Sequence, residues 1–170
     1  MERTVSKWEA LEHYNFFESI KTDMGNKFFS LFRFNGNLAF KKQAEIARQM
    51  LDSSRNDGFV QFEKEKNDLV LTFAEKDEDG KPKIVDGMVN IPSSVIDGYY
   101  TALKELEDVH KEDIVKHDAD FNETVEAIKA DTFKVDFPKI KFEHIPENLS
   151  SEKCEYIFVN FLDKDEAEEN

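Results

Sequence analysis

Cysteine is nearly absent from this sequence, which has a single one, Cys154, among 170 residues. One thiol excludes an internal disulfide and a zinc site built from four thiolates. A reducing compartment is therefore the simpler expectation. Because Cys154 lies inside an apolar run, we expect it to be buried and inert rather than nucleophilic.

Long apolar runs are also missing. No stretch in the sequence approaches the roughly 18 apolar residues that can span a bilayer. The N-terminal residues lack the apolar segment of a secretory signal. We therefore expect a soluble, cytoplasmic protein that does not bind membranes.

Glycine-based catalytic motifs are missing as well. The sequence has six glycines, most of which are explained by turns. It contains neither the Gly-x-Ser-x-Gly of a nucleophile elbow nor a phosphate-binding Gly-Lys-Ser/Thr loop. We therefore predict no catalytic residues, no cofactor and no enzymatic activity.

Basic residues are too few to balance the acidic ones. The 23 lysines and arginines stand against 37 aspartates and glutamates, which gives a net charge of -14. The imbalance is uneven, since residues 1–55 hold nine basic and seven acidic side chains whereas residues 104–131 hold four and ten. An acidic body repels duplex DNA and anionic membranes and speeds encounter with a basic partner. Direct binding to duplex DNA is therefore not expected.

Phenylalanine is abundant, with 16 residues against four tyrosines and one tryptophan. Phenyl rings bring a large apolar area without a polar group, so they favour a buried core. A chain of 170 residues can bury such a core within one domain. We predict one domain over residues 1–162, helical to residue 55 and made of sheet and helices over 56–162, followed by a flexible acidic tail over 163–170.

The first third of the chain predicts helices. Apolar residues at steps of three predict a helix over residues 5–22, which Met24-Gly25-Asn26 ends. Residues 27–40 are ambiguous, because Asn35-Gly36 is typical of a two-residue hairpin turn and also of a helix end. Both interpretations stay open, with a slight preference for the helix. Residues 38–53 predict a further helix.

From residue 59 the apolar period changes to that of strands. Residues 59–63, 68–74 and 83–89 predict three strands. Their connections, including a turn at 77–80, are too short for parallel crossovers, so the strands are expected to be antiparallel.

The second half of the chain predicts both element types. A serine-capped helix is expected from Ser93-Ser94 to about residue 108. Residues 132–145 alternate and predict an edge strand with a bulge at Pro138, and residues 154–162 are apolar on both faces, which is typical of a doubly covered strand. The predicted fold class is α+β, a single domain with N-terminal helices, an antiparallel sheet of about five strands, and an acidic helical insertion between strands 3 and 4.

The acidic insertion contains two histidines, His110 and His117, that lie two helical turns apart. Asp113 and His117, at i and i+4, have the spacing of two ligands for a divalent cation, which leaves a metal-dependent hydrolase as an alternative function. A nearby calcium-loop pattern fails, because Glu123 stands where a glycine is required and Lys129 where a bidentate glutamate is required. We therefore expect no metal ligands.

The leading hypothesis is a non-catalytic protein whose acidic insertion binds a basic surface of a partner protein, such as a nucleic-acid-binding enzyme. The candidate partner-binding residues are Glu105, Glu107, Asp108, Glu112, Asp113, Asp118, Asp120, Glu123 and Glu126. Two forms fit this description: a phage-type inhibitor that mimics DNA or blocks host defence, and an immunity or antitoxin protein that covers a nuclease. Within the insertion we predict a helix break near His117, with Asp120 capping the next helix.

A different function would use the N-terminal third, where aromatic and basic residues alternate as they do in single-strand binders. The candidate nucleic-acid-binding residues are Lys27, Phe32, Arg33, Phe34, Lys41 and Lys42. The basic excess of this region is small, so strong affinity for phosphates is not expected. Single-stranded nucleic-acid binding therefore stays an alternative behind the protein interaction.

Overall fold

The computed structural model describes residues 2–21 and 26–163, and within these residues the chain is mostly helical. The helices are α1 (Lys7–Glu18), α2 (Lys27–Ser53), α3 (Asp57–Phe73), α4 (Ile96–Val109), α5 (Lys111–Ala130) and α6 (Ser151–Asn160), with a 3-10 helix over Phe142–His144. The strands are β1 (Glu2–Ser6), β2 (Ile84–Val85), β3 (Met88–Val89) and β4 (Thr132–Asp136).

The predicted antiparallel sheet of about five strands is wrong. In the described part of the chain β1 pairs antiparallel with β4, and β2 pairs antiparallel with β3, in two separate two-stranded sheets. The acidic segment is therefore not an insertion within one sheet. It forms α4 and α5, which follow β3 and precede β4.

The chain divides into two compact units. We call residues 1–51 with 125–170 the core unit, and residues 52–124 the acidic unit. The acidic unit contains 19 acidic and nine basic side chains, so it carries most of the net charge. That the whole chain folds as one domain stays a prediction.

The core unit contains the large phenylalanine core that the composition predicts. Its fully buried large side chains are Phe17, Phe29, Phe40, Phe161, Ile128 and Ile157. The strand pair β1–β4, with Val5 opposite Phe133, adds to this core. Burying this much apolar area is the main stabilising contribution to the unit.

Helix α1 begins later than the sequence predicts. Ser6 ends β1 and caps α1, because its Oγ accepts from the Glu9 backbone N at 3.1 Å while its own N donates to Glu9 Oε2 at 2.6 Å. This reciprocal pair is a capping box. The helix then ends at Glu18, and residues 24 and 25 of the predicted stop signal lie outside the described residues.

Residues 27–40 are helical and the hairpin is wrong, but the helix end predicted at Asn35-Gly36 is also wrong, because α2 runs unbroken through these residues to Ser53. The further helix predicted over residues 38–53 is the second half of α2. Gly36 serves packing rather than a turn. A Cβ at this position would overlap the Phe17 ring. The absence of a side chain thus lets α2 lie against the most buried ring of α1.

Substituting alanine for Gly36 is expected to destabilise the core unit by about 1–3 kcal/mol, since overpacking outweighs the gain of about 1 kcal/mol in helix propensity. Gly98 in α4 is the matched control, because a Cβ there would meet only the Phe73 ring, at 3.3 Å from Cε1 and 3.9 Å from Cζ. Gly98→Ala should be neutral or stabilising. Urea unfolding of both variants checks this, and equal effects of the two substitutions would contradict the packing role.

Helix α3 replaces two predicted strands, 59–63 and 68–74, which are therefore wrong. The Asn56 side chain accepts a hydrogen bond from the Phe59 backbone N at 2.8 Å and starts the helix. The predicted strand at 83–89 is instead the short hairpin β2–β3. Its turn residues Asp86 and Gly87 both have positive φ, as a type I′ turn requires.

Helix α4 is confirmed close to its predicted bounds, but its cap is not a serine. The capping position is Val95, which makes no side-chain cap bond. The predicted break near His117 is wrong, because α5 is continuous and the chain turns at His110 instead. Asp120 is an interior residue of α5 whose carbonyl accepts from Thr124 Oγ1 at 2.8 Å.

Of the last two predicted strands, the first is partly correct and the second is wrong. Only residues 132–136 of the predicted 132–145 form a strand, because the chain becomes irregular after Asp136. The predicted strand 154–162 is wrong, since these residues lie mainly in α6. Ile157 and, just after the helix, Phe161 are buried four residues apart, whereas Val159 is exposed. Of the predicted tail, Asp163 pairs with Lys139 at 2.9 Å, and residues 164–170 lie outside the described residues.

Candidate interaction surfaces

The candidate partner-binding carboxylates lie on α4 and α5. Those that are exposed are Glu105, Glu107, Asp108, Glu112, Asp118, Glu123 and Glu126, whereas Asp113 and Asp120 are half-buried. Glu126 belongs to the core unit and pairs with Lys129 at 2.8 Å. The other eight lie in the acidic unit, and we call these eight the acidic surface.

Most carboxylates of the acidic surface have no cationic partner within the chain, as far as the described residues show. Lysines stand four residues from several of them, as Lys111 does from Glu107 and Lys116 from Glu112. Within the described residues neither pair forms an ion pair, and of the eight only Asp113 has a basic neighbour within 4.0 Å, His110 at 3.8 Å. Their charge is therefore left to solvent or to an external partner.

Side chains distant in sequence hold the acidic helices in place. The His117 ring stacks on Phe59 of α3, with centroids 3.6 Å apart. Asn56 Nδ2 donates to the Asp113 carbonyl at 3.1 Å. Sequence reasoning missed these supports, although Asn56 three residues before Phe59 carries the signal of a helix cap.

Glu65 on α3 makes a third support. Its Oε2 lies 3.0 Å from His110 Nε2, and its Oε1 accepts from Gln61 Nε2 at 2.6 Å. The hydrogen bond from Gln61 has the largest effect and that from His110 the next largest, and together they lower the pKa of Glu65 below its ordinary value. The contact fixes the chain at His110, where α4 ends and α5 follows.

The predicted metal-type pair, Asp113 and His117, lies four residues apart within α5. His110 lies between α4 and α5, so it does not share a helix with His117. His117 is buried against Phe59, and its Nδ1 has no hydrogen-bond partner. Among the described residues no group of three histidine, cysteine, aspartate or glutamate side chains is placed to hold a metal ion.

The candidate nucleic-acid-binding residues on α2 do not share one surface. Phe32 is buried in the core unit, where its ring packs on Phe17 with centroids 5.2 Å apart. Phe34 is 63% exposed. Arg33 Nε donates to the Ile20 carbonyl at 3.4 Å. The remaining three, the lysines 27, 41 and 42, are exposed, and Lys41 lies 3.9 Å from Glu45.

The core unit also contains a buried histidine–tyrosine pair that the sequence did not indicate. His13 Nδ1 lies 2.9 Å from Tyr156 Oη. The rings of Phe40, Phe137 and Phe161 surround His13 at centroid distances of 5.0, 5.5 and 4.9 Å. Burial lowers the pKa of His13 from 6.5 to about 4 and raises that of Tyr156 to about 12. Both groups are neutral at pH 7, so the pair contributes to core packing.

His13 is expected to make the core unit less stable in acid. Below pH 6.5 the unfolded chain binds a proton at His13 that the folded chain rejects until about pH 4. Stability should therefore fall on acidification through this window, by up to about 1.4 kcal/mol per pH unit. His13→Gln cannot titrate and keeps a partner for Tyr156, so its loss of stability between pH 7 and pH 5 should be smaller. Equal losses in urea unfolding of the two proteins would contradict this origin.

No helix within the described residues is long and apolar enough to cross a membrane. Neither a protein-family model, a curated protein nor a solved structure matches the chain.

Proposed function

We propose that the protein is a non-catalytic interaction protein whose acidic surface binds a basic surface of a partner protein. The observation that carries this proposal is the set of exposed carboxylates on α4 and α5 without a cationic partner among the described residues. Charges already neutralised within a chain add little to binding. Charges that are not neutralised attract a basic partner, speed its association and repel acidic competitors.

The density of carboxylates supports an inhibitor that imitates DNA. Between Glu112 and Glu123, α5 rises about 17 Å at 1.5 Å per residue. This span carries five carboxylates and one lysine, Lys116. The mean axial spacing of about 4 Å between these carboxylates is similar to the 3.4 Å between charges along one strand of duplex DNA. A phage-type inhibitor and an immunity or antitoxin protein that covers a nuclease would both use this resemblance.

The contacts by which α3 holds the acidic surface in a fixed geometry favour a role in binding. Stacking of His117 on Phe59 and the hydrogen bond from Asn56 to Asp113 fix the rotation of α5, and the Glu65 contact fixes the turn between the two helices. A fixed array loses less conformational entropy on binding than mobile side chains on a flexible segment. We further propose that the protein acts in the cytoplasm, where its single thiol stays reduced.

Affinity capture from the native host, followed by mass spectrometry, tests the proposal. The full chain and a variant with three acidic-surface residues changed to amides serve as baits. A partner with a basic, nucleic-acid-binding surface that only the unchanged chain retains is the expected result. Equal capture by both baits would remove the acidic surface as the binding site.

A further inference from the structure

Helix α2 of the core unit exposes an apolar stripe. Phe28, Leu31 and Leu38 are 58%, 54% and 69% exposed. They follow one another at i, i+3 and i+10, so they lie along one side of the helix, and Asn35 stands between the last two. With roughly 100 Å² for each half-exposed side chain the stripe offers about 300 Å², which lies at the lower end of the range for the largest apolar patch on a monomer, a patch that is often functional.

The stripe forms one wall of a groove. The segment from Val135 to His144 forms the other wall, and two adjoining depressions of about 370 and 350 Å³ share Asn35. Val135 and Pro138 line the first depression, and Ile140 lines the second. Aliphatic side chains thus line both walls, beside the rings of Phe28, Phe32 and Phe137 and the charged side chains of Asp136, Lys139, Lys141 and Asp163.

One end of the groove is fixed by specific contacts. The Phe28 ring stacks on His144, with centroids 4.2 Å apart and an interplanar angle of 18°. Asn26 Nδ2 donates to the His144 carbonyl at 3.3 Å. The exposed apolar side chain of Phe28 is therefore held in position rather than free to collapse onto the core.

The charges around the stripe are opposite in sign to those of the chain as a whole. Residues 27–42 contain four basic side chains and no acidic one, in a protein of net charge -14. Lys27 and Lys42 are exposed, and each stands four residues from a leucine of the stripe, Lys27 from Leu31 and Lys42 from Leu38. Each end of the apolar stripe thus carries a lysine.

We propose that this groove binds an acidic amphipathic helix of a partner protein. The stripe from Phe28 to Leu38 is about 15 Å long, which matches about three turns of a docked helix with apolar anchors at i, i+3 or i+4, and i+7. Lys27 and Lys42 lie about 22 Å apart along α2 and pair with carboxylates that flank those anchors.

The lining of the groove favours a helix over a nucleic acid strand. Bases bind by stacking on aromatic rings. Of the phenylalanine rings that line the groove, Phe32 and Phe137 are buried and Phe28 is already stacked on His144. The proposed groove lies in the core unit and attracts acidic partners, whereas the acidic surface attracts basic ones. The groove proposal and the acidic-surface proposal can therefore fail independently.

Selection from a displayed library of random 15-residue peptides tests the site, with the full chain as bait. Enriched peptides should carry three apolar residues at helical spacing with aspartate or glutamate on both sides. Leu31→Glu or Leu38→Glu should weaken the binding of these peptides at least tenfold. Leu71→Glu is the matched control, because Leu71 is also exposed but lies on α3, and it should change affinity less than twofold. Circular dichroism confirms that each variant is folded.

The charge requirement is tested separately by the double substitution Lys27→Glu and Lys42→Glu. It should lower the affinity of the enriched peptides at least tenfold at low salt, and this difference should shrink as salt is raised. No enrichment, enrichment of basic peptides, or peptide binding that survives Leu31→Glu overturns the proposal. The chain could instead bind an oligonucleotide, or associate with a second copy of itself, in a complex that Leu31→Glu abolishes. Either result would assign the groove to another occupant and would also overturn the proposal.

Discussion

Replacing Phe17 with alanine is expected to lower the free energy of unfolding of the core unit by about 3–5 kcal/mol. Phe17 is fully buried, and its ring packs on those of Phe16, Phe32 and Phe161 at centroid distances of 5.4, 5.2 and 5.1 Å. The substitution loses the transfer free energy of the ring and leaves a cavity among rigid neighbours, which cannot collapse to fill it.

Trp8, the single tryptophan, lies in the core unit, so urea unfolding followed by its fluorescence measures this effect. Phe17→Leu should cost less than Phe17→Ala, and it keeps the comparison measurable if the alanine variant does not fold. Phe34→Ala is the matched control, because Phe34 is 63% exposed on α2; a loss below about 1 kcal/mol is expected for it. Similar losses for Phe17→Ala and Phe34→Ala would contradict the assigned core.

The second large effect is expected on binding. The triple substitution Glu105→Gln, Asp108→Asn and Asp118→Asn should weaken the complex with the captured partner at least hundredfold. Each of the three carboxylates is expected to form a close charge pair with the partner that contributes about 1 kcal/mol or more, or about 3 kcal/mol together. A loss of 1.4 kcal/mol in binding free energy lowers the affinity tenfold. The amides keep the size of the side chains, and all three carboxylates are exposed and away from the start of their helices, so the fold should be unaffected.

A matched variant separates the acidic surface from net charge. Glu18, Glu147 and Glu155 are exposed residues of the core unit, and changing them to glutamine removes the same three charges. This variant should bind the partner as the unchanged chain does, within a factor of about three, because long-range charge affects association rates more than the stability of the complex. Equal weakening by both variants would show that the general charge of the protein, and not a site, is responsible.

The fold could be predicted where apolar periodicity extends over many residues. Helix α4 and much of α2 have such patterns, and both were predicted. In α3 the apolar runs are short and rich in valine, leucine and phenylalanine, and such runs do not distinguish a strand from one side of a helix. The signals that do distinguish them are the Asn56 cap and the helical spacing of Phe59, Phe62, Leu69 and Phe73 along one face.

Helix α6 was missed for a different physical reason. Its apolar residues face both ways, with Ile157 buried and Val159 exposed. Neither a helical nor a strand period is clean in such a segment, and burial against the phenylalanine core decides its structure. The continuation of α2 through Gly36 could not be predicted for a similar reason, because Phe17, the packing partner of Gly36, lies on another helix.

The exposure of the candidate carboxylates follows from their charge, since aspartate and glutamate are rarely buried. Their supports could not be predicted. Asn56 and Asp113 are 57 residues apart in the chain, and Glu65 and His110 are 45 apart. One sequence gives no indication of which distant side chains meet, so the acidic residues could be predicted but not the array in which α3 holds them.

The central claim is that the acidic surface binds a basic partner, and its most direct test is the affinity of the captured partner measured over a range of salt concentrations. The unchanged chain and the Glu18, Glu147 and Glu155 variant should give the same affinity, which falls as salt is raised. The Glu105, Asp108 and Asp118 variant should bind at least a hundredfold more weakly at low salt, and the difference should narrow at high salt. The same affinity for all three proteins at every salt concentration would contradict the claim.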